Sequence, residues 1–407
     1  MPEFPYSRLR RWPDVEADNL QAHDATDLLL VGRALALDVP GSQIAVIGDE
    51  YGAITLALTD AGRHDIRVHQ DLATGRRALA RNAEELGLDG FVAHELDAAL
   101  LAGARLVLLQ LPKSLAELEE IADAVARWAA PDAVLIAGGR VKHMTLGQNE
   151  VLARSFARVQ AERAERKSRL VVASEPLPVP AEPPFPVTAQ HDGLTLVAHG
   201  GAFAGPRLDI GTRVLLEVLG LSSPRSLSEE AEGHRDETPS PGEVPDRDEA
   251  FRLAPLRSTR STTGRTVVDL GCGTGALAVS YALAHPDARV IATDRSAAAV
   301  ASARATAAAN GVGDRVVVTH DDAASELSDA SADVVLLNPP FHLGSSVHTG
   351  AATRLFEAAA RLLRPGGELF TVYNSSLNYR AELTRLVGEA EQLHRTSKFT
   401  VTRSIRR

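Results

Sequence analysis

One short pattern occurs twice in this 407-residue chain, and it restricts the possible fold more than any other feature. Ile44 to Leu56 (IAVIGDEYGAITL) aligns with Val267 to Val279 (VVDLGCGTGALAV), placing Gly48 on Gly271 and Gly52 on Gly275. Each time, an apolar run of strand length meets a glycine turn and then a helix-forming stretch, the opening of a βαβ unit. The same offset of 223 residues places Asp71 on Asp294. Three further correspondences follow in order: residues 106–114 (LVLLQLPKS) with 334–342 (VVLLNPPFH), 130–132 (APD) with 364–366 (RPG), and 167–174 (KSRLVVAS) with 398–404 (KFTVTRS). The chain reads as two copies of one fold.

Around these anchors, β-branched runs alternate with alanine-rich stretches. In the second copy the pattern predicts strands over Thr266–Leu270, Arg289–Thr293, Arg315–Thr319, Val334–Leu337 and Glu368–Tyr373. Helices are predicted over Leu208–Leu219, Ala276–Ala284 and Ser296–Asn310, the last ending at Asn310-Gly311. Strand–helix alternation of this kind implies a doubly wound, mostly parallel α/β sheet. The proline-rich stretch EPLPVPAEPPFP (175–186) favours an extended connector. Three regions follow: a first domain over 1–176, a linker over 177–189 and a second domain over 190–407. Residues 222–264 are rich in Ser, Pro, Glu, Asp and Arg with little to bury, so they are expected to form a disordered acidic insertion.

The formal net charge of −10 argues at first against a nucleic-acid partner. That charge is unevenly placed. Nine acidic residues stand against two arginines between Glu229 and Glu249, which accounts for most of it. From Arg380 to Arg407 there are seven basic residues and three acidic ones, so a local basic face remains available to steer phosphates. The single cysteine, Cys272, excludes an internal disulfide and a cysteine metal cluster, and thirteen histidines show no metal-ligand spacing. No metal is expected. The first residues, Met1 to Pro13, carry three arginines and no apolar run, and no stretch of 18 apolar residues occurs anywhere. A cytoplasmic protein without a membrane partner is expected.

The chemistry concentrates in the second copy. In VVDLGCGTG, Gly271, Gly273 and Gly275 let the backbone turn tightly and let a ligand approach the main chain. A dinucleotide would use the same glycines, but Asp269 at the strand end suits the cationic amino group of an amino-acid-like cofactor better than a pyrophosphate. Asp294, ending the next strand, can accept the two hydroxyls of a ribose. Asp322 in HDDA can accept from an adenine amino group, with Asp321 competing for that role. These residues point to S-adenosylmethionine as cofactor. The sequence Asn338-Pro339-Pro340-Phe341 then follows a strand directly. Two prolines remove ladder donors and fix the backbone, so the Asn338 side chain and the Pro339 carbonyl form a rigid pair of acceptors. Such a pair holds the two hydrogens of an amino group, and Phe341 offers a face for a stacked base. His342 either lines the site or caps the turn. Cys272 sits where the turn needs a small residue, so it is not expected to act as a nucleophile.

In the first copy Asp269 corresponds to Val46, Gly273 to Glu50, and the Asn-Pro-Pro-Phe corner to Gln110-Leu111-Pro112-Lys113. The fold is expected to be kept there and the chemistry lost. That copy would present substrate through Lys113, Arg140, Lys142, His143 and the basic run from Arg163 to Arg169.

Over nearly its whole length outside 222–264, the chain resembles the two-domain bacterial ribosomal RNA guanine-N2 methyltransferases. The resemblance rests on NPPFH (338–342), HGGAFAGPRLDIGTR (199–213), YNSSLNYR (373–380), the terminal KFTVTRS and the GRVKHM segment (139–144) of the first copy. It implies two tandem Rossmann-like methyltransferase domains, the N-terminal one degenerate. It further implies methyl transfer to the 2-amino group of a flipped guanine held by residues 338–341, with ribosomal RNA or a ribosomal subunit as partner of a monomer. Asp269, Gly271, Gly273, Asp294 and Asp322 would hold the cofactor, and Gly211-Thr212 would approach it. Two other functions use similar features: protein-glutamine N-methylation, and RNA-binding assembly with vestigial methyl transfer.

Overall fold

A computed structural model describes residues 4–17, 19–221, 264–340 and 346–407 of the chain. They form two compact units, one built largely from the residues up to Val187 and the other largely from those beyond it.

In the first unit the strands are β1 (Ile44–Ile47), β2 (Ile66–His69), β3 (Phe91–Ala93), β4 (Leu106–Gln110), β5 (Val134–Arg140), β6 (Phe156–Ala161) and β7 (Ser168–Pro176). Its helices are α1 (Ala25–Ala36), α2 (Ala53–Asp60), α3 (Ala73–Leu86), α4 (Ala98–Leu101), α5 (Leu115–Trp128) and α6 (Leu146–Leu152). The sheet runs β3-β2-β1-β4-β5-β7-β6, parallel except where β7 joins β5 and β6.

The second unit opens with a two-stranded ribbon, β8 (Val187–His191) and β9 (Leu194–Ala198), joined at Asp192-Gly193 with positive φ at both residues, as a tight hairpin requires. The last residues of the expected linker are therefore strand: the prolines stop at Pro186, after which every residue can donate to a ladder. Five parallel strands follow, β10 (Thr266–Leu270), β11 (Arg289–Asp294), β12 (Val316–His320), β13 (Ala332–Leu337) and β14 (Leu363–Asn374), then β15 (Ala390–Arg395) and β16 (Phe399–Ile405). The helices are α7 (Ile210–Leu219), α8 (Ala276–Ala284), α9 (Ala297–Ala309), α10 (Ser346–Leu362) and α11 (Arg380–Leu386). The sheet order β12-β11-β10-β13-β14-β16-β15 repeats that of the first unit strand for strand. The predicted strands all lie within or against observed ones. The largest difference is β14, which starts at Leu363 because Leu363 pairs with Ala332 ahead of an irregularity in the ladder. The expected acidic insertion lies outside the described residues apart from its last residue, Gly264.

Parallel strands buried on both faces alternate between two apolar layers. Val267, Val290, Val334 and Leu336 face a layer with α7 and α8, while Val268, Ile291, Val335 and Leu337 face the layer of α10. This two-residue period sends Asp269 to the same side as Val267, toward the start of α8. The segment YNSSLNYR is partly spent on this packing: Tyr379 meets Phe356 and Tyr373 edge-on, at ring-centre distances of 5.1 and 5.5 Å. No described helix is long and apolar enough to cross a membrane.

Candidate functional site

The site of the second unit forms where the carboxyl ends of β10, β11 and β13 meet, at the point where strand order reverses between β10 and β13. The glycine turn after β10 is tied to β11. The Gly271 and Cys272 N–H groups donate to the Thr293 carbonyl at 2.9 and 3.0 Å, and the Gly273 N–H donates to Asp294 Oδ2 at 2.9 Å. Gly275 has φ of +80° and caps α8. A Cβ there would stand 3.0 Å from the Cβ of Ala303 on α9, so glycine is required by both conformation and space. Gly273 is different: its φ is +53°, yet a Cβ would meet nothing within 4 Å, and the same holds at Gly271. Those two residues form an open ledge.

Asp269 is only 1% exposed. Its Oδ2 accepts the Ala278 N–H at 2.9 Å, bracing the first turn of α8, while its buried Oδ1 has no partner among the described residues. Burial, and after it the charge of Asp294, pushes the carboxyl up to about 7, opposed by the Ala278 hydrogen bond. Cys272 is buried within the turn, and burial with the adjacent carboxylates pushes its thiol well up, which leaves no thiolate for nucleophilic work.

The two competing acids beyond β12 have distinct partners. Asp321 accepts from Ser325 Oγ at 2.7 Å and from the Glu326 N–H at 2.8 Å, so it organises its own loop. Asp322 instead forms an ion pair with Arg354 of α10. No motif in the chain marks Arg354 as a site residue.

The Asn338 side chain is the most closely defined part of the site. Its Nδ2 donates to Asp209 Oδ2 at 2.9 Å and to Thr212 Oγ1 at 3.0 Å. Asp209 also caps α7 by accepting the Thr212 N–H at 3.2 Å. A carboxylate offers only acceptors, so the amide must turn its NH2 toward Asp209. Asn338 Oδ1 is left buried with no partner among the described residues. A Cβ on Gly211 would lie 3.3 Å from that oxygen. Thr212, expected at the cofactor, stands at the Asn338 amide, and Asp209 is a site residue that sequence reasoning misses. Pro339 is buried and Pro340 exposed. Phe341 and His342 lie outside the described residues.

The first unit has the same frame with different contents. Gln110, the counterpart of Asn338, donates its Nε2 to Asp27 in the first turn of α1, as Asn338 does to Thr212 in the first turn of α7. A Cβ on Gly48 would lie 3.2 Å from the Gln110 carbonyl oxygen, so no open ledge exists at that glycine. Val46 stands where the second unit has Asp269, and the helix brace comes from another position. Asp49 Oδ2 accepts the N–H of Thr55, the residue that aligns with Ala278, at 2.8 Å. The helix keeps its brace, but the carboxylate now comes from the turn rather than from the strand.

The orphaned Oδ1 of the strand-end Asp269 and the glycine ledge fit a nucleoside cofactor that carries an ammonium group, and the orphaned Asn338 Oδ1 fits an amino group beside it. The RLMG N-terminal domain family matches residues 3–177 and the Methyltransferase small domain family matches residues 248–403. The protein named Ribosomal RNA large subunit methyltransferase G of Streptomyces coelicolor is 33% identical over 98% of this chain and 97% of its own. The chain belongs to the ribosomal RNA large subunit methyltransferase G family. A family member from Pseudomonas paraeruginosa is 34% identical over 99% of this chain and 100% of its own. Among solved structures, the T. thermophilus 16S rRNA N2 methyltransferase RsmC, in complex with AdoMet and guanosine, covers 95% of this chain with 92% of its own. At 22% identity and a TM-score of 0.68, that likeness shows the tandem Rossmann-like fold of the family.

Proposed function

We propose that the C-terminal domain transfers a methyl group from S-adenosylmethionine to the 2-amino group of a guanine in large-subunit ribosomal RNA. Family membership supports the reaction class, and the relatives' shared name supports the subunit. The neighbour that holds AdoMet and guanosine supports the cofactor and the base. The single observation that carries the nucleophile is the orientation of Asn338, whose free acceptor edge suits an NH2 group and no carbonyl. The relatives' names point to neither alternative function, protein-glutamine methylation or vestigial assembly work.

Asp269 Oδ1 would take the cofactor's ammonium, Asp294 its ribose hydroxyls and Asp322, held by Arg354, its adenine amino group, with Gly271 and Gly273 letting it lie against the main chain. When bound, S-adenosylmethionine supplies an electrophilic methyl on sulfonium. The chain's own residues do the rest. Asn338 Oδ1 and the Pro339 carbonyl accept the two amino hydrogens, which leaves the nitrogen lone pair directed at the methyl. They also stabilise the positive charge that develops on nitrogen. Pro339 and Pro340 hold this corner stiff, so positioning supplies most of the acceleration. Phe341 would stack on the base and His342 would line the pocket. No strong base is required, because the proton becomes acidic only after the methyl arrives.

The first domain serves to present substrate on this reading. The Val141 N–H donates to the Lys167 carbonyl at 3.0 Å, which brings residues 140–143 beside the Arg163–Lys167 hairpin. Arg140 pairs with Asp24 and Arg166 with Glu165, while Lys142, His143, Arg163 and Lys167 are exposed and suited to phosphates. A cytoplasmic monomer acting on RNA or a ribosomal subunit completes the proposal.

The test is transfer of labelled methyl from S-adenosylmethionine to naked large-subunit RNA and to each subunit from cells lacking the protein, followed by nucleoside analysis. Label in N2-methylguanosine, lost in Asn338→Ala and Asp294→Ala, is the expected result. Label confined to adenosine, cytidine or polypeptide would refute the substrate.

A further inference from the structure

Asp209 is a half-buried carboxylate with two functions in the described structure: it caps α7 through the Thr212 N–H and it receives the Asn338 amide. The cap needs a small acceptor at that position, and Ser, Thr or Asn would serve as well as Asp. The amide needs something more specific. A neutral partner such as asparagine carries a donor and an acceptor on one fork, and it could turn its donor to the Asn338 side chain only by giving up the Thr212 N–H, because one oxygen, Oδ2, accepts both. A carboxylate can satisfy only the NH2 face. Thr212 Oγ1, at 3.0 Å from the same Nδ2, completes the grip from the next turn of backbone.

We propose that Asp209 is a positioning residue that fixes which edge of the Asn338 amide faces the substrate, and so makes the site select for an amino group. The proposal rests on the functional reading above and adds to it the source of the amide's orientation. With Nδ2 engaged by Asp209 and Thr212, Oδ1 is the only atom of that amide left to meet substrate. A flipped amide would present a donor to the nitrogen lone pair and hold the base in an unreactive pose. In the first unit Gln110 likewise turns its Nε2 toward Asp27, which holds the position in the first turn of α1 that Thr212 holds in α7. The geometry further requires an amide at position 338. An aspartate there would set two carboxylates against each other at the 2.9 Å now spanned by a hydrogen bond.

The deciding experiment is an exchange of the two side chains in the full chain. Asp209→Asn, Asn338→Asp and the double variant D209N/N338D are assayed for kcat and KM on large-subunit RNA, for S-adenosylhomocysteine affinity and for Tm. Asn338→Asp should lose about a hundredfold in kcat, a loss typical of displaced reacting groups. Asp209→Asn should lose only a few-fold in kcat, because the Thr212 N–H keeps an oxygen at the place of Oδ2 and the Asn338 amide is then held by a neutral acceptor, with KM for RNA and S-adenosylhomocysteine affinity within about twofold of wild type. In the double variant the amide introduced at position 209 donates to one oxygen of the carboxylate introduced at position 338. The other oxygen of that carboxylate then faces the amino group, so kcat should recover at least about tenfold over Asn338→Asp. Tm should fall in Asn338→Asp and recover in part in the double variant, because the Oδ2 that accepts the Asn338 amide also accepts the Thr212 N–H and an NH2 group in its place cannot. A purely structural Asp209 would let Tm recover in the double variant without any recovery of kcat, and that result overturns the proposal. Should the wild-type protein transfer no methyl to RNA, the functional reading fails by itself. The Tm cycle then still decides the contact, and an absence of coupling between positions 209 and 338 overturns the inference.

Discussion

At neutral pH the buried carboxyl of Asp269 is close to half protonated, because burial and Asp294 push it up to about 7. A ligand ammonium pairs with the ionised form alone, so cofactor binding must displace the proton. With a midpoint of about 7, the ionised fraction is roughly 0.1 at pH 6 and roughly 0.9 at pH 8. Affinity for S-adenosylhomocysteine should therefore rise about tenfold across that interval, or ~1.4 kcal/mol. Binding at pH 7 should release about half a proton. Titration calorimetry at pH 6, 7 and 8, in two buffers of different ionisation enthalpy, measures both quantities. Asp269→Asn supplies the control. The amide oxygen it introduces can still accept the Ala278 N–H, so α8 keeps its brace, but no charge remains to titrate. The variant should bind no more tightly than wild type at pH 6, with no pH dependence and no proton release. Wild-type affinity that stays flat from pH 6 to 8 would refute the assignment of Asp269 to the ammonium, and so would an unchanged slope in the variant.

Three other outcomes follow from the geometry. Burial first, and then the charge of Asp49, pushes the Asp27 carboxyl up to about 8. Between about pH 4 and 8 the folded state holds a proton that the unfolded chain has released, so stability falls as pH rises, by up to ~1.4 kcal/mol per unit. Asp27→Asn should raise Tm at pH 7.5 and flatten its pH dependence; a lower Tm with the slope unchanged would contradict this. Gly275→Ala combines a left-handed backbone with a Cβ 3.0 Å from that of Ala303, and should cost about 2–4 kcal/mol in urea unfolding. Adding Ala303→Gly should recover the packing part, and no recovery would mean that the contact is not limiting. Lys142→Glu and Lys167→Glu should each weaken RNA binding across sequences and lower the salt slope by about 1, measured by filter binding from 50 to 200 mM salt. Unchanged slopes would remove that edge from the RNA interface.

The fold is readable in the sequence because its two signals are local. Glycine turns after apolar strands recur at a fixed spacing, and strand–helix alternation needs only neighbours in sequence. Asn338 is equally visible, since paired prolines at a strand end have few ordinary uses. Asp209 is not: LDIGTR marks a helix start, but its second role depends on a partner 129 residues away. The same holds for Arg354, whose charge carries no sequence mark of the Asp322 it meets. Asp321 and Asp322 cannot be ranked from adjacency alone, because only the loop geometry decides which side chain turns back on Ser325. At Val46 the alignment shows a missing acid, while the compensating Asp49 lies three residues away and so escapes a position-by-position comparison.

The different source of that acid has a consequence for how readily either half of the chain could take on the other's arrangement. The Thr55 amide is already occupied by Asp49, so Val46→Asp would bury a second carboxyl with no donor waiting for it. Removing Asp49 first would leave the end of α2 unbraced. Each single exchange is costly, and only a concerted double exchange converts one arrangement into the other. The two braces exclude each other: a half of this chain that takes its carboxylate from the turn gains nothing from a second one on the strand, so chemistry that needs the strand-end acid is closed to it by a barrier of two coupled changes.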